Sequence, residues 1–113
     1  MKKDLEKRTK QFSLALIEFT SGLPRTRETD ILARQVLRSG TSIGANYREA
    51  NRGVSRPDFA NKIGLVAKEA SETQYWLELF IESELLPSPP TQLHAEASEL
   101  LAIFTTIGKT LKN

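Results

Sequence analysis

Phe59, Ile63, Val66, Ala70, Thr73, Leu77 and Phe80 follow one another at alternating steps of four and three residues. Only an α-helix brings positions with that spacing onto one face, and a mean step near 3.5 is the period of helices that pack side by side at a shallow left-handed angle. Such a stretch must lie against other helices of the same period. The rest of the chain supplies them. Leu5, Phe12, Leu16 and Phe19 share one face; Leu32, Val36, Ser39, Ile43, Asn46, Tyr47, Ala50 and Val54 form a second seam; Leu93, Ala97, Leu100, Phe104, Ile107 and Leu111 form a third. Expected helices are therefore residues 4–21, 27–53, 57–85 and 89–112. No strand pattern or internal repeat competes, and the links are short. The sequence predicts an all-α protein, an antiparallel up-down-up-down four-helix bundle in one domain over residues 1–113.

The links carry the expected stop and start signals. Gly22 ends the first helix, and Leu23-Pro24-Arg25-Thr26 is a turn in which Thr26 can cap the second, with Glu28 and Asp30 near its positive end. Pro57 suits a first helical turn behind a cap at Ser55 or Arg56, and Pro87-Ser88-Pro89-Pro90 is a rigid break with Ser88 as a cap and Pro89 as a first helical residue.

A chain of 113 residues is long enough for one unstapled core, and the absence of cysteine removes disulfides and thiolate metal sites. No apolar run approaches the roughly 20 residues of a membrane span, and Met1-Lys2-Lys3-Asp4 opens a charged helix rather than a signal peptide. The expectation is a cytoplasmic protein with no membrane partner. The net charge of +2 is unevenly spread: residues 1–56 hold 12 Lys and Arg against 6 Asp and Glu, residues 57–113 hold 4 against 8. Such asymmetry either serves an anionic partner or pairs the two halves with each other.

The second helix concentrates the informative residues. At about 100° per residue, Arg34, Arg38, Arg48 and Arg52, with Arg56 if the helix reached it, fall within about 80° of arc. Ala33, Gly40, Gly44 and Asn51 make a flank almost without side chains, where another helix could approach closely. Each glycine costs about 1 kcal/mol relative to alanine in a helix, so close packing is the expected compensation. Asn46 falls in the apolar seam and must find a partner, either helix backbone or the Glu69 and Glu72 carboxylates, which gives it a structural role. A second stripe on the third helix, Leu65, Glu69, Glu72 and Trp76, suggests contact on two sides, with Trp76 at a core edge. Lys3, Lys7 and Lys10 line one face of the first helix, ordinarily a solvated face.

Catalytic chemistry is not legible. His94 is the only histidine, and Glu69 with Glu72 lacks the Glu-x-x-His pairs that build di-metal bundle sites. Gly40-Thr41-Ser42-Ile43-Gly44 has neither the lysine nor the strand context of a phosphate loop. The expectation is a protein that is not an enzyme and uses no metal or cofactor.

Ser42-Ile43-Gly44-Ala45-Asn46-Tyr47-Arg48-Glu49-Ala50, followed by Asp58-Phe59, Lys62-Ile63-Gly64, Glu69-Ala70 and Tyr75-Trp76-Leu77-Glu78-Leu79, resembles the bacterial 23S rRNA intervening-sequence protein family. The likeness covers the second and third helices; many relatives have proline at the position of Gly44 and Glu-Gly at that of Glu49-Ala50. It implies an up-down bundle assembled as a homopentameric ring with a central pore, and no established activity. A similar accessory protein of diversity-generating retroelements binds nucleic acid and reverse transcriptase. Two functional expectations follow. The first is a non-enzymatic oligomer that binds RNA or DNA through Arg34, Arg38, Arg48 and Arg52, aided by Lys3, Lys7 and Lys10, with Gly40, Gly44, Asn46, Tyr47, Glu69, Glu72 and Trp76 in structural or interface roles. The second is an assembly or protein-docking scaffold whose arginines pair with Glu69, Glu72, Glu78 or Glu82.

Overall fold

In the computed structural model, residues 2–53 and 55–112 are described, and they form four helices: α1 (Lys2–Ser21), α2 (Arg27–Asn51), α3 (Arg56–Glu82) and α4 (Thr91–Lys112). Val54, assigned to the α2 seam by its spacing, lies outside the described residues. The protein is an all-α four-helix bundle measuring 44 × 21 × 21 Å. Cross-helix contacts set the directions. Glu6 meets Asn51 while Leu16 meets Gly40; Arg38 meets Glu72 while Glu49 meets Lys62; Glu78 meets His94 while Arg56 meets Leu111. Each sequential pair is antiparallel, so the chain runs up, down, up, down.

Local chemistry accounts for the helix ends. The Thr26 hydroxyl accepts from the Thr29 amide at 3.1 Å, and the Ser55 hydroxyl accepts from the Asp58 amide at 3.2 Å, which selects Ser55 over Arg56 as the cap of α3. Arg52 is the C-cap of α2 and Arg56 opens α3, so the arginine stripe of α2 stops short of Arg56. α3 ends at Glu82 rather than 85, because Glu84 takes a left-handed φ of 60°. Ser88 caps nothing: α4 begins at Thr91, two residues later than its spacing implied. A residue before proline is pushed out of the helical region, and Ser88 and Pro89 both precede one. The first backbone bonds of α4 accordingly run from Thr91 to Pro89 and from His94 to Pro90.

The heptad positions form the core. Ile63, Val66, Ala70, Leu77 and Phe80 of α3 have no exposure, nor do Val36, Ile43, Leu16, Ala97, Leu100 and Phe104 from the other helices. Each large apolar side chain so buried contributes roughly 1.5–3 kcal/mol relative to an exposed one. Aromatic pairs fill the two diagonals: Phe19 of α1 meets Phe80 of α3 edge-on at 5.3 Å, and Tyr47 of α2 meets Phe104 of α4 at 5.1 Å. Burial pushes the Tyr47 phenol above its usual range. Two polar positions are buried at the α2–α3 seam, where the Thr73 and Ser39 hydroxyls lie 2.8 Å apart.

The small-residue flank of α2 is occupied by α1 of the same chain. A Cβ built on Gly40 would sit 2.0 Å from Leu16 Cδ1, and one on Gly44 would lie 3.2 Å from Thr9 Oγ1 and 3.4 Å from Thr9 backbone. Glycine compensates here for its low helix propensity by admitting α1.

α1 and α4 share the thinnest seam of the bundle. Arg8 clasps it: Nε and Nη2 donate to the two oxygens of Glu96 at 2.7 and 2.8 Å, and Nη2 reaches Glu99 at 3.1 Å. The forked bond to Glu96 raises the guanidinium pKa still further. Because the pair is partly solvated, Arg8→Gln is expected to cost only about 1 kcal/mol at low ionic strength. In chemical denaturation at 1 M salt, where the screening length is about 3 Å, the difference from the parent should largely vanish. A difference that persists undiminished would assign the effect to packing of the arginine stem.

Candidate nucleic-acid interface

The up-down fold rearranges the charges of the sequence. Residues 2–12, 43–53, 55–68 and 104–112 lie in one half of the rod, and hold 12 Lys and Arg against 4 Asp and Glu, a net charge of +8. The other half, residues 13–42 and 69–103, holds 4 against 10, net −6. A chain with a net charge of +2 is thus a rod with a basic end and an acidic end.

The four arginines of the α2 stripe fall into different environments. Arg48 and Arg52 lie in the basic half, exposed, with Lys3, Lys7 and Lys10 of α1; among the described residues these five make no ion pair. A groove of about 360 Å³ between α1 and α2 brings Lys10 and Arg48 onto one surface, with Gly44, Ala45 and Ser13 around them. Its two carboxylates are engaged from other directions, Glu6 accepting from Asn51 at 2.8 Å and Glu49 lying 3.8 Å from Lys62. Lys10 and Arg48 are exposed and make no ion pair among the described residues, although Glu6 and Glu49 line the same groove, and such cations are suited to phosphate oxygens.

Arg34 is exposed and unpaired among the described residues, but stands in the acidic half beside Ile17 and Arg25. Fourteen residues from Arg48, it is about 21 Å away along the helix axis. Arg38 is committed within the chain: its guanidinium bonds Glu72, lies 3.7 Å from Glu69, and donates to Gln35 at 3.0 Å. Trp76 Nε1 donates to the same Glu72 carboxylate at 3.0 Å, and the ring packs half-buried against the core. Glu69, Glu72 and Trp76 of the second α3 stripe and the glycine flank of α2 are thus engaged within one chain, while Leu65 of that stripe is 44% exposed.

Asn46 does not bridge helices. Half-buried, it donates from Nδ2 to the Ser42 carbonyl at 3.0 Å, one turn back in its own helix, and the glutamates it could have met are held by Arg38. That carbonyl already serves the helix, so Asn46→Ala should change the melting free energy by less than about 1 kcal/mol, since no buried partner is left unsatisfied. A loss of several kcal/mol in thermal denaturation would show a cross-helix role instead. His94 Nε2 lies 3.1 Å from Glu78, linking α4 to α3, and among the described residues no three His, Cys, Asp or Glu side chains converge as a metal site. No helix is long and apolar enough to cross a membrane.

Two features of the surface have no counterpart in the sequence reading. The Arg8 clasp was missed, although Arg8 sits beside the core position Thr9 at the edge of the apolar face. So was a patch of exposed apolar residues, Ile31 and Leu85, which only the meeting of α2 with the α3 terminus creates.

Comparison with known proteins bears on this geometry. No curated protein matches the chain. Among solved structures, a protein of unknown function from the S23 ribosomal protein family of Bacteroides thetaiotaomicron is 35% identical, with a TM-score of 0.83, covering 96% of this chain and 99% of that one. The family model described as 23S rRNA-intervening sequence protein matches residues 2–109. Sequence motifs, helix order and near full-length structural likeness agree, and the chain belongs to the 23S rRNA-intervening sequence protein family.

Proposed function

We propose that the protein is a non-enzymatic, cytoplasmic nucleic-acid-binding module, working as a homo-oligomer whose family resemblance suggests a ring of five, and that the basic end of the bundle is its phosphate contact. The observation that carries this reading is the segregation of charge: Arg48, Arg52, Lys3, Lys7 and Lys10 share the +8 half of the rod without ion pairs of their own among the described residues. Repeating that end around an oligomer would supply avidity that one chain of net charge +2 lacks. Arg38 is withdrawn from the contact set by its carboxylate partners, and Arg34 belongs to the other half. The ligand class is RNA or DNA read through its backbone, because the one aromatic near the stripe, Tyr47, is buried against Phe104 and offers bases no stacking platform.

Arg38 is also the one specific observation favouring the scaffold reading, in which the arginines are occupied by carboxylates such as Glu69 and Glu72. The two readings separate in a titration of labelled RNA and DNA against salt, combined with light scattering. Phosphate contact demands that affinity fall steeply as salt rises. Absence of binding at 50 mM salt by an assembled oligomer would leave the scaffold, and a mass of one chain at micromolar concentration would remove the oligomer from either reading.

A further inference from the structure

The acidic end of the rod carries a groove that the nucleic-acid reading does not use. It lies where α2 meets the end of α3, about 550 Å³ in volume, with Leu32 and Leu79 in its floor and Ile31 and Leu85 as walls. Ile31 is 46% exposed and Leu85 37%, although both are large aliphatic side chains. The turn at Glu84, with φ of 60°, carries Leu85 back over the groove, and the Leu85 amide donates to Ser83 Oγ at 3.4 Å. Glu28 and Glu82 stand on the rim. Glu82 makes no ion pair among the described residues, and Glu28 has only its exposed neighbour Arg27 at 3.4 Å.

An apolar groove rimmed by one carboxylate without an ion pair among the described residues and one paired only with an exposed neighbour selects its occupant by charge. Exposed apolar clusters with polar rims mark interaction surfaces, and an amphipathic helix laid in such a groove buries residues at steps of three and four. The geometry points to this groove as the docking site for a cationic amphipathic helix of a partner protein, whose aliphatic face covers Ile31, Leu79 and Leu85 while its lysines or arginines meet Glu28 and Glu82. Nucleic acid is repelled by the −6 half in which the groove lies, so the two ligands would occupy opposite ends of the rod. The inference is independent of whether the basic end binds phosphate.

The test uses the full chain and two labelled 18-residue amphipathic peptides, one of leucine and lysine, the other of leucine and glutamate, in fluorescence anisotropy. The lysine peptide should bind at least tenfold more tightly than the glutamate peptide. Glu28→Lys with Glu82→Lys, both exposed, should weaken the lysine peptide at least tenfold and strengthen the glutamate peptide; Ile31→Ser should weaken the lysine peptide as well. Arg48→Gln with Arg52→Gln should leave peptide binding unchanged, which keeps failure here separate from failure of the nucleic-acid reading. The inference is overturned if the lysine peptide does not bind, or if neither Glu28→Lys/Glu82→Lys nor Ile31→Ser alters its affinity. It is equally overturned if sedimentation shows the charge-reversed variant losing oligomer mass, which would make the groove a contact between copies.

Discussion

Leu16→Ala and Gly40→Ala, each destabilising alone, are expected to cost less together than the sum of the two. Leu16 is fully buried, so its truncation should cost about 2–5 kcal/mol in transfer and cavity terms. Gly40→Ala gains about 1 kcal/mol of helix propensity. Yet its methyl would arrive 2.0 Å from Leu16 Cδ1, the end of a side chain with no exposure, so the leucine must change rotamer inside a filled core. Overpacking of this kind costs about 1–3 kcal/mol, enough to outweigh the propensity gain. In the double variant the new methyl enters space that the leucine has vacated, the overlap disappears, and the propensity gain remains. Urea denaturation of the four proteins should therefore give a favourable coupling of about 1–3 kcal/mol. Strict additivity would show that α1 does not approach α2 as closely at Gly40 as these contacts require.

Arg48→Gln with Arg52→Gln is expected to weaken binding of RNA and DNA alike, with little dependence on sequence. Each arginine that neutralises a phosphate releases counterions, so losing two should reduce the slope of log affinity against log salt by about 1.4–1.8. Arg38→Gln is the informative comparison. Its guanidinium is held by Glu72 and Glu69, so that change should leave the salt slope intact and loosen the α2–α3 seam instead. The pair of variants converts a stripe that looks uniform on a helical wheel into two separable functions. If Arg38→Gln flattens the slope as much as the double variant, the division of the stripe made here is wrong. If neither variant alters the slope of a protein that does bind, phosphate contact lies elsewhere than on α2.

Much of the fold was legible because it depends on local periodicity. The seven α3 positions from Phe59 to Phe80 specify one face, and three other segments of matching period leave little besides an antiparallel bundle; Thr26 and Ser55 cap their helices because a hydroxyl can reach an amide three residues on. The start of α4 was missed because Pro89 overrides Ser88 and Pro90 overrides Pro89, and the end of α3 because Glu84 takes a left-handed φ.

The candidate site divided along the same line. Residue type alone determines that α2 presents arginine on one face and glycine on another, since a helix of known pitch orders its own side chains. What each face meets is a matter of which helix lies beside it. Only the tertiary structure decides that the glycine flank receives Leu16 and Thr9 of α1, that Arg38 is spent on Glu72 while Arg48 and Arg52 are not, and that an N-terminal excess of positive charge becomes one basic end of a rod. Antiparallel folding is the physical reason. It sets residues that are dozens of positions apart within a few ångströms of one another, and at that range the identity of the neighbour determines whether a charge is neutralised or left facing water.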